Sequence, residues 1–436
     1  GSVILIISYF AYVYFYTFIK DKESFSQISN MDKKYTIIFI WFLLSIVGAK
    51  FLARLVFSFS PLVCLLFAFL VFSLVDYLKN SNSIKNKNVK VVSYVILGLM
   101  IAYLFFGFLK TTLAAAASVG PMYNVEWQQA ERWVKANTPE NSVFVHWWDY
   151  GYLVQTGFNR PTVTDGGNTI GPWNYFTARY LLTAPPENDQ TMSFLKTHNV
   201  SYLLIVGDDI GKYPAYSSIG SDQNYDRYSW IGTYAIDLQQ SQERTNTTDY
   251  FYRGGTPLDE DIVYNGKPFP KDQSIVYGFI MPITKGNNSR ILQPTLVLYY
   301  NQAFEQIPLE CVFIDNQEIN FKGNNSIKGC LRIIPFATSS SVTGQQPTIN
   351  PIGAALYLSP KVRNTLFTKL YLYGQDTKNF KLAYSDENTG MPLLVYDGRL
   401  IAPMKIWNVT YDLGTKINQT YLETTYNDPT VTYVTQ

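Results

Sequence analysis

The chain has 436 residues, a net charge of +2 and only 16% charged residues, against about 25% in an ordinary soluble domain. That deficit excludes a typical cytosolic enzyme. A near-neutral balance without a long basic tract also excludes nucleic-acid binding, since phosphates demand clustered lysines and arginines. In chain order, four apolar stretches without internal charge come first, at 3–19, 35–49, 55–75 and 91–109. They are predicted to cross a membrane, because a span needs roughly 17–25 residues. The second is short, but Lys34 and Lys50 bracket it and can snorkel outward. Helices buried in a protein core are the alternative reading of such stretches. No cleavable signal peptide is recognisable.

Lysine and arginine counts in short loops set the orientation of such a segment. The loop 79–90 carries Lys79, Lys85, Lys87 and Lys90 with no acid, and the loop 20–34 carries Lys20, Lys22, Lys33 and Lys34. Both are expected inside, which puts the turn 50–54 and everything after the last span outside, in a multi-pass membrane protein. The expected organisation is a group of about four transmembrane helices over 1–110, a mixed α/β extracytoplasmic core over 111–255, and a β-rich peripheral part over 256–436.

Within the core, 126–136 reads as a helix stopped by Asn137-Thr138-Pro139-Glu140, and 142–145 as a short strand that delivers Trp147 and Trp148 to a loop. Helices are expected at 174–182 and 190–198, and an apolar strand at 202–206. Alternating runs at 275–280, 295–300, 380–384 and 404–411 predict strands, with a helix at 362–372. The outward region holds six Asn-x-Ser/Thr triplets, at Asn199, Asn246, Asn287, Asn324, Asn408 and Asn418, where such acceptors can be used. Cys311 and Cys330 flank a polar stretch and can pair in an oxidising space.

Trp147-Trp148-Asp149-Tyr150-Gly151 is the most informative segment. It places two indole donors and one carboxylate acceptor at the exit of a strand, although on its own such a cluster is usually structural, since indoles pack into cores and an Asp often caps a turn. Asp209-Ile210-Gly211-Lys212 follows the second strand. Gly211 and Pro214 are expected to interrupt a regular helix there, and a solvated surface pair is the plain alternative for Asp209 and Lys212. Arg54 stands at the outer end of a span, before Pro61. His146 and His198 are too scattered for a histidine metal site, and Asp259-Glu260-Asp261, after Gly254-Gly255 and Pro257, reads as a solvated loop.

Together with 366–373, Leu-Phe-Thr-Lys-Leu-Tyr-Leu-Tyr, these segments make the chain resemble the catalytic subunit of oligosaccharyltransferase, most closely the archaeal single-subunit form (dolichyl-phosphooligosaccharide-protein glycosyltransferase), in its C-terminal part. The resemblance implies N-glycosylation: transfer of a glycan from a lipid-linked, dolichol-type donor to the Asn of Asn-x-Ser/Thr acceptors. It assigns Trp147, Trp148, Asp149, Tyr150, Gly151, Asp209 and Lys212 to acceptor binding, and Arg54 to the lipid diphosphate in place of a snorkelling anchor. The acceptor hydroxyl can accept from both indoles while donating to Asp149. In the family a Met or Ile four residues past the lysine packs on the threonine methyl; here that position is Tyr216, and Ile219 is the substitute.

The resemblance further implies Mn2+ or Mg2+, held by carboxylates of an N-terminal membrane half of the same enzyme. Catalytic residues and metal ligands are expected there, with none in this chain. The expected partners are the acceptor peptide, the lipid-linked oligosaccharide and that half, with no nucleic acid. Two other readings compete: a non-catalytic membrane-anchored surface binding protein, and another lipid-dependent glycosyltransferase.

Overall fold

A computed structural model describes residues 2–30, 32–52, 55–80, 86–167, 170–321, 323, 326–339, 347–389 and 392–425. The chain divides into two compact units, Gly1–Gly120 and Pro121–Gln436. The first contains helices α1 (Ser2–Lys20), α2 (Lys22–Ser29), α3 (Lys33–Phe51), α4 (Val56–Asn80) and α5 (Lys87–Val119), so each of the four apolar stretches lies on a helix. Asp32 and Asn86 start α3 and α5 by accepting the Lys34 and Asn88 amides at 3.1 and 2.9 Å, which satisfies donors that the first helical turn leaves orphaned.

Among the described residues α3, α4 and α5 are long and apolar enough to cross a membrane. Phe57, Phe72 and Tyr103 on them are 87%, 70% and 79% exposed. Water would penalise that much exposed aromatic surface, whereas lipid does not; the unit is a membrane segment. The 33 residues of α5 rise about 50 Å at 1.5 Å each. That exceeds a hydrocarbon core of about 30 Å, and the helix runs on past the span expected at 91–109. It stops at Gly120, whose φ of +66° is open to glycine.

The second unit opens with α6 (Val125–Asn137), capped by Asn124 and buried along Trp127, Ala130 and Val134. The buried Arg160 guanidinium donates to the Thr138 carbonyl at 2.8 Å and to its hydroxyl at 3.0 Å, placing a cation at the C-terminal end of α6, where the helix dipole favours it. A four-stranded sheet follows. Strand β1 (Val143–Val145) pairs in parallel with β2 (Val200–Ile205), with Phe144 opposite Tyr202 and Val145 opposite Leu203. The strands Lys405–Val409 and Phe380–Ser385 extend the sheet antiparallel.

A second sheet of eleven strands is built from 232 to 401. Its inner strands are apolar on both faces. In Thr348–Leu358, Ala354, Leu356 and Leu358 join the core beside the smaller sheet, while Ala355 and Tyr357 fill a core on the opposite face. Alternation of side chains along a strand sends neighbours to opposite sides. Cys311 and Cys330, opposite one another on parallel strands, form a disulfide.

Two local expectations are corrected. Asp259 is buried, not a solvated loop residue, because its carboxylate accepts from Ser229 and Ser359, brought from far along the chain. The expected helix at 362–372 is instead a short helical turn, Pro360–Arg363, followed by a π-helical turn, Thr368–Leu372. Arg54 and Asn324 lie outside the described residues.

The Cys311–Cys330 bridge has a sequence separation of 19, and a closed loop of that order stabilises by about 3 kcal/mol through the unfolded state. Replacing both cysteines by alanine is therefore expected to lower the denaturation midpoint of the second unit clearly. An unchanged midpoint would show that the bridge contributes nothing.

Candidate acceptor site

The site begins where β1 and β2 end. Because the two strands run in parallel side by side, the chain leaves both at the same edge, the position at which α/β sheets generally bind ligands. From β1 it enters Trp147 and the 3-10 turn Trp148–Tyr150. From β2 it passes through Val206 into the helix Asp209–Ile219. Residues more than fifty positions apart in sequence thereby become neighbours.

The expectation that Gly211 and Pro214 break this helix is corrected. It runs unbroken through both, with Asp209, Tyr213, Tyr216 and Ser217 buried. Proline removes one backbone hydrogen bond, and burial of two tyrosines on one face outweighs that loss. Helical spacing sets Asp209, Lys212 and Tyr216 on adjoining turns of the face directed at the other motif.

Lys212 joins the two segments. Its Nζ lies 2.8 Å from Asp149 Oδ2 and donates to the Tyr150 hydroxyl at 3.0 Å. The Asp149 and Lys212 side chains keep 25% and 31% of their surface exposed, so the pair is open to a ligand. An ionised carboxylate accepts at several lone-pair positions, and one lysine leaves most of them to others. Trp148 is half-buried, while Trp147 is buried between Trp148 and Tyr216, with ring centroids 6.2 and 5.6 Å away. Tyr216 itself is fully buried and donates to the Asp209 carbonyl at 3.2 Å. It supports Trp147 from below. Ile219 packs against the same core.

Electrostatics separate the two acids. Asp149 is partly solvated, whereas Asp209 is buried, and burial pushes its carboxyl up to about 7 despite the Val206 amide that it accepts at 3.0 Å and the nearby Lys212 charge. Burial first, and then the surrounding aspartates, hold the Tyr150 hydroxyl well above the usual phenol range. It stays neutral and accepts the hydrogen bond that Lys212 donates. His146, fully buried behind the turn, is pushed down to about 4 by desolvation and contacts the Trp147 carbonyl through Nδ1 at 2.8 Å. It is a neutral support.

Gly151 has a steric reason. A Cβ there would come within 2.3 Å of Asp165 Cα and 2.7 Å of the Thr164 carbonyl, so only glycine lets the turn close against the segment 164–165. Sequence reasoning named these residues but not the Asp149–Lys212 ion pair, nor the role of 366–373. In that segment Phe367 packs on Tyr213 and Tyr216 at 5.8 and 6.0 Å, backing the helix that carries Lys212. The run of buried apolar positions from Leu366 to Tyr373 was the available signal.

Residues 140–209 match the family model described as the STT3/PglB/AglB core domain. The chain is similar to a dolichyl-phosphooligosaccharide-protein glycotransferase of Methanocaldococcus jannaschii, at 39% identity over 67 residues, 15% of this chain and 7% of that protein. It is also similar to the STT3 subunit of the Saccharomyces cerevisiae dolichyl-diphosphooligosaccharide–protein glycosyltransferase, at 25% identity over 235 residues, 46% of this chain and 32% of that protein. The chain thus spans about a third or less of the length of these relatives. Among solved structures it is similar to the Archaeoglobus fulgidus oligosaccharyltransferase tethered to an acceptor peptide containing the NVT sequon, at 14% identity, 82% of this chain, 36% of that chain and a TM-score of 0.38. Over residues 140–209 the chain matches the STT3/PglB/AglB core domain, and this is the stretch that relates it to these glycosyltransferase proteins.

Proposed function

We propose that this chain supplies acceptor recognition to an oligosaccharyltransferase, an N-glycosylating enzyme that moves a glycan from a dolichol-type lipid to the Asn of Asn-x-Ser/Thr. The single observation that carries the reading is the convergence of Asp149 and Lys212, at 2.8 Å, from the ends of two parallel strands, within the stretch that matches the core domain and its immediate continuation. In this reading the acceptor Ser or Thr hydroxyl donates to the Asp149 carboxylate and accepts from the indoles of Trp147 and Trp148. Lys212 holds Asp149 in place, Tyr150 and the buried Asp209 orient Lys212, and Gly151 closes the turn. A site built to bond a hydroxyl rejects its absence strongly, because its own polar groups are then left unpaired.

The lysine-rich loops support an outward-facing second unit. For Arg54 the reading rests on sequence: a guanidinium at the end of a span suits a lipid diphosphate through bidentate hydrogen bonds. Among the described residues no three His, Cys, Asp or Glu side chains stand together as a metal site. These residues do not fit the divalent cation that the resemblance implies. In this proposal the cation's ligands and the reacting carboxylates belong to an N-terminal half of the same enzyme.

Photo-crosslinking tests the acceptor role directly. An Asn-x-Thr peptide is expected to label the Trp148–Asp149 segment of the full chain, and an Asn-x-Ala peptide is not; equal labelling would end the proposal. In the complete enzyme, Asp149→Ala is expected to lower Asn-x-Thr affinity by at least about tenfold, within the range of lost charge-assisted hydrogen bonds, while donor binding stays near that of the parent.

The buried Asp209 makes a prediction about pH. Its folded value, about 7, lies above the ordinary 3.8, so the folded state disfavours the charged form. Stability attributable to this group is fully present below about pH 4 and is lost as pH rises toward 7. Asp386, also raised to about 7 by burial, adds a slope of the same sign. Asp209→Asn is therefore expected to flatten the decline of the thermal midpoint between pH 4 and 7 without removing it. An identical slope in parent and variant would show that Asp209 is not the buried acid described.

A further inference from the structure

The outer face of the larger sheet carries a second candidate site, apart from the acceptor residues. Along Ile275–Thr284, Val276, Phe279 and Met281 fill the core, while Tyr277, Ile280 and Pro282 point away from it and line a groove of about 610 Å3. Four aromatic rings form a continuous stripe on this face. Centroids are 6.0 Å apart for Phe251–Tyr277, 5.0 Å for Tyr277–Phe304 and 5.1 Å for Phe304–Tyr299. Phe304 is 57% exposed and Tyr299 36%.

The local backbone is arranged for this stripe. A Cβ on Gly278 would come within 2.7 Å of the Phe251 ring, so the glycine lets that ring lie against the neighbouring strand. Gln239, Gln242 and Gln306 border the rings. The one arginine lining the groove, Arg244, is neutralised by Asp249.

The chemistry selects among ligands. A polyanion would find no unpaired cation lining the groove. A lipid chain would strip water from the glutamine amides without replacing their hydrogen bonds. A sugar ring offers an apolar C–H face, which suits an aromatic plane, surrounded by hydroxyls that both donate and accept, as a glutamine amide does. The volume falls within the roughly 300–1,000 Å3 typical of small-ligand sites. Exposed aromatic patches rimmed by polar groups mark such grooves.

We propose that this sheet face binds oligosaccharide, with Tyr277 and Phe304 as the platform, the buried Phe251 ring backing Tyr277, and Gln239, Gln242 and Gln306 as hydroxyl partners. The inference goes beyond acceptor recognition and does not rest on it.

The test is calorimetric titration of the full chain, held in a detergent without a sugar headgroup, with chitotetraose and with maltotetraose. Saturable binding of at least one probe is expected. Phe304→Ala, at a surface position that leaves the core intact, is expected to weaken it at least tenfold. Gln306→Ala should weaken it several-fold, and Tyr396→Ala, an exposed aromatic outside the groove, should leave it unchanged. Absence of binding by both probes, or undiminished binding by Phe304→Ala, would overturn the proposal. So would displacement of the bound probe by an unglycosylated Asn-x-Thr peptide, which would assign the binding to the acceptor residues instead.

Discussion

The parallel pairing of Val143–Val145 with Val200–Ile205 is the constraint on which the candidate site depends. Parallel neighbours end at the same edge of a sheet, and here both exits carry polar chemistry: Trp148-Asp149 from one, Asp209 to Lys212 from the other. Had the strands been antiparallel, the same two segments would stand at opposite edges. Local sterics complete what the pairing starts. Gly151 closes on Asp165, and Tyr216 supports Trp147 from within the core.

The acids at this edge are differentiated by burial. A half-exposed ion pair such as Asp149–Lys212 is worth little to stability, since water and salt screen it. That weakness suits a recognition role, because a ligand can share or replace its hydrogen bonds at small cost. Asp209, far from Asp149 in sequence but adjoining in space, is sealed from water and raised to about 7. It serves as a fixed support, with its carboxylate held to the Val206 amide.

The remainder of the second unit supports these groups from a distance. The segment 366–373 places Phe367 against Tyr213 and Tyr216, and the Tyr371 hydroxyl donates to the Pro403 carbonyl at 2.6 Å. The helix bearing Lys212 is thereby tied to the segment leading into Lys405–Val409, the strand that pairs with Val200–Ile205. Asp259, accepting from Ser229 and Ser359, fastens the segment after that helix to the larger sheet. Farther along the larger sheet, the outward row of aromatics keeps Phe304 and Tyr299 partly open to solvent, and this is the surface that the proposed sugar site uses.

Much of this was legible in the amino-acid order. Apolar runs bounded by lysines specified the spanning helices, because lipid leaves a helix no other way to satisfy its backbone. Alternating runs located the strands Thr295–Tyr300 and Phe380–Ser385 to within a residue or so, because a half-buried strand must repeat every second position. The pentapeptide 147–151 announced polar donors and an acceptor at a strand exit. Tertiary structure alone decided which groups meet. Nothing local pairs Lys212 with Asp149, buries Asp259 under two distant serines, or carries a helix through Pro214; each depends on contacts between residues far apart in the chain. Short-range pattern determines which face of an element seeks burial, whereas the energy that rewards one partner over another arises only when remote segments pack.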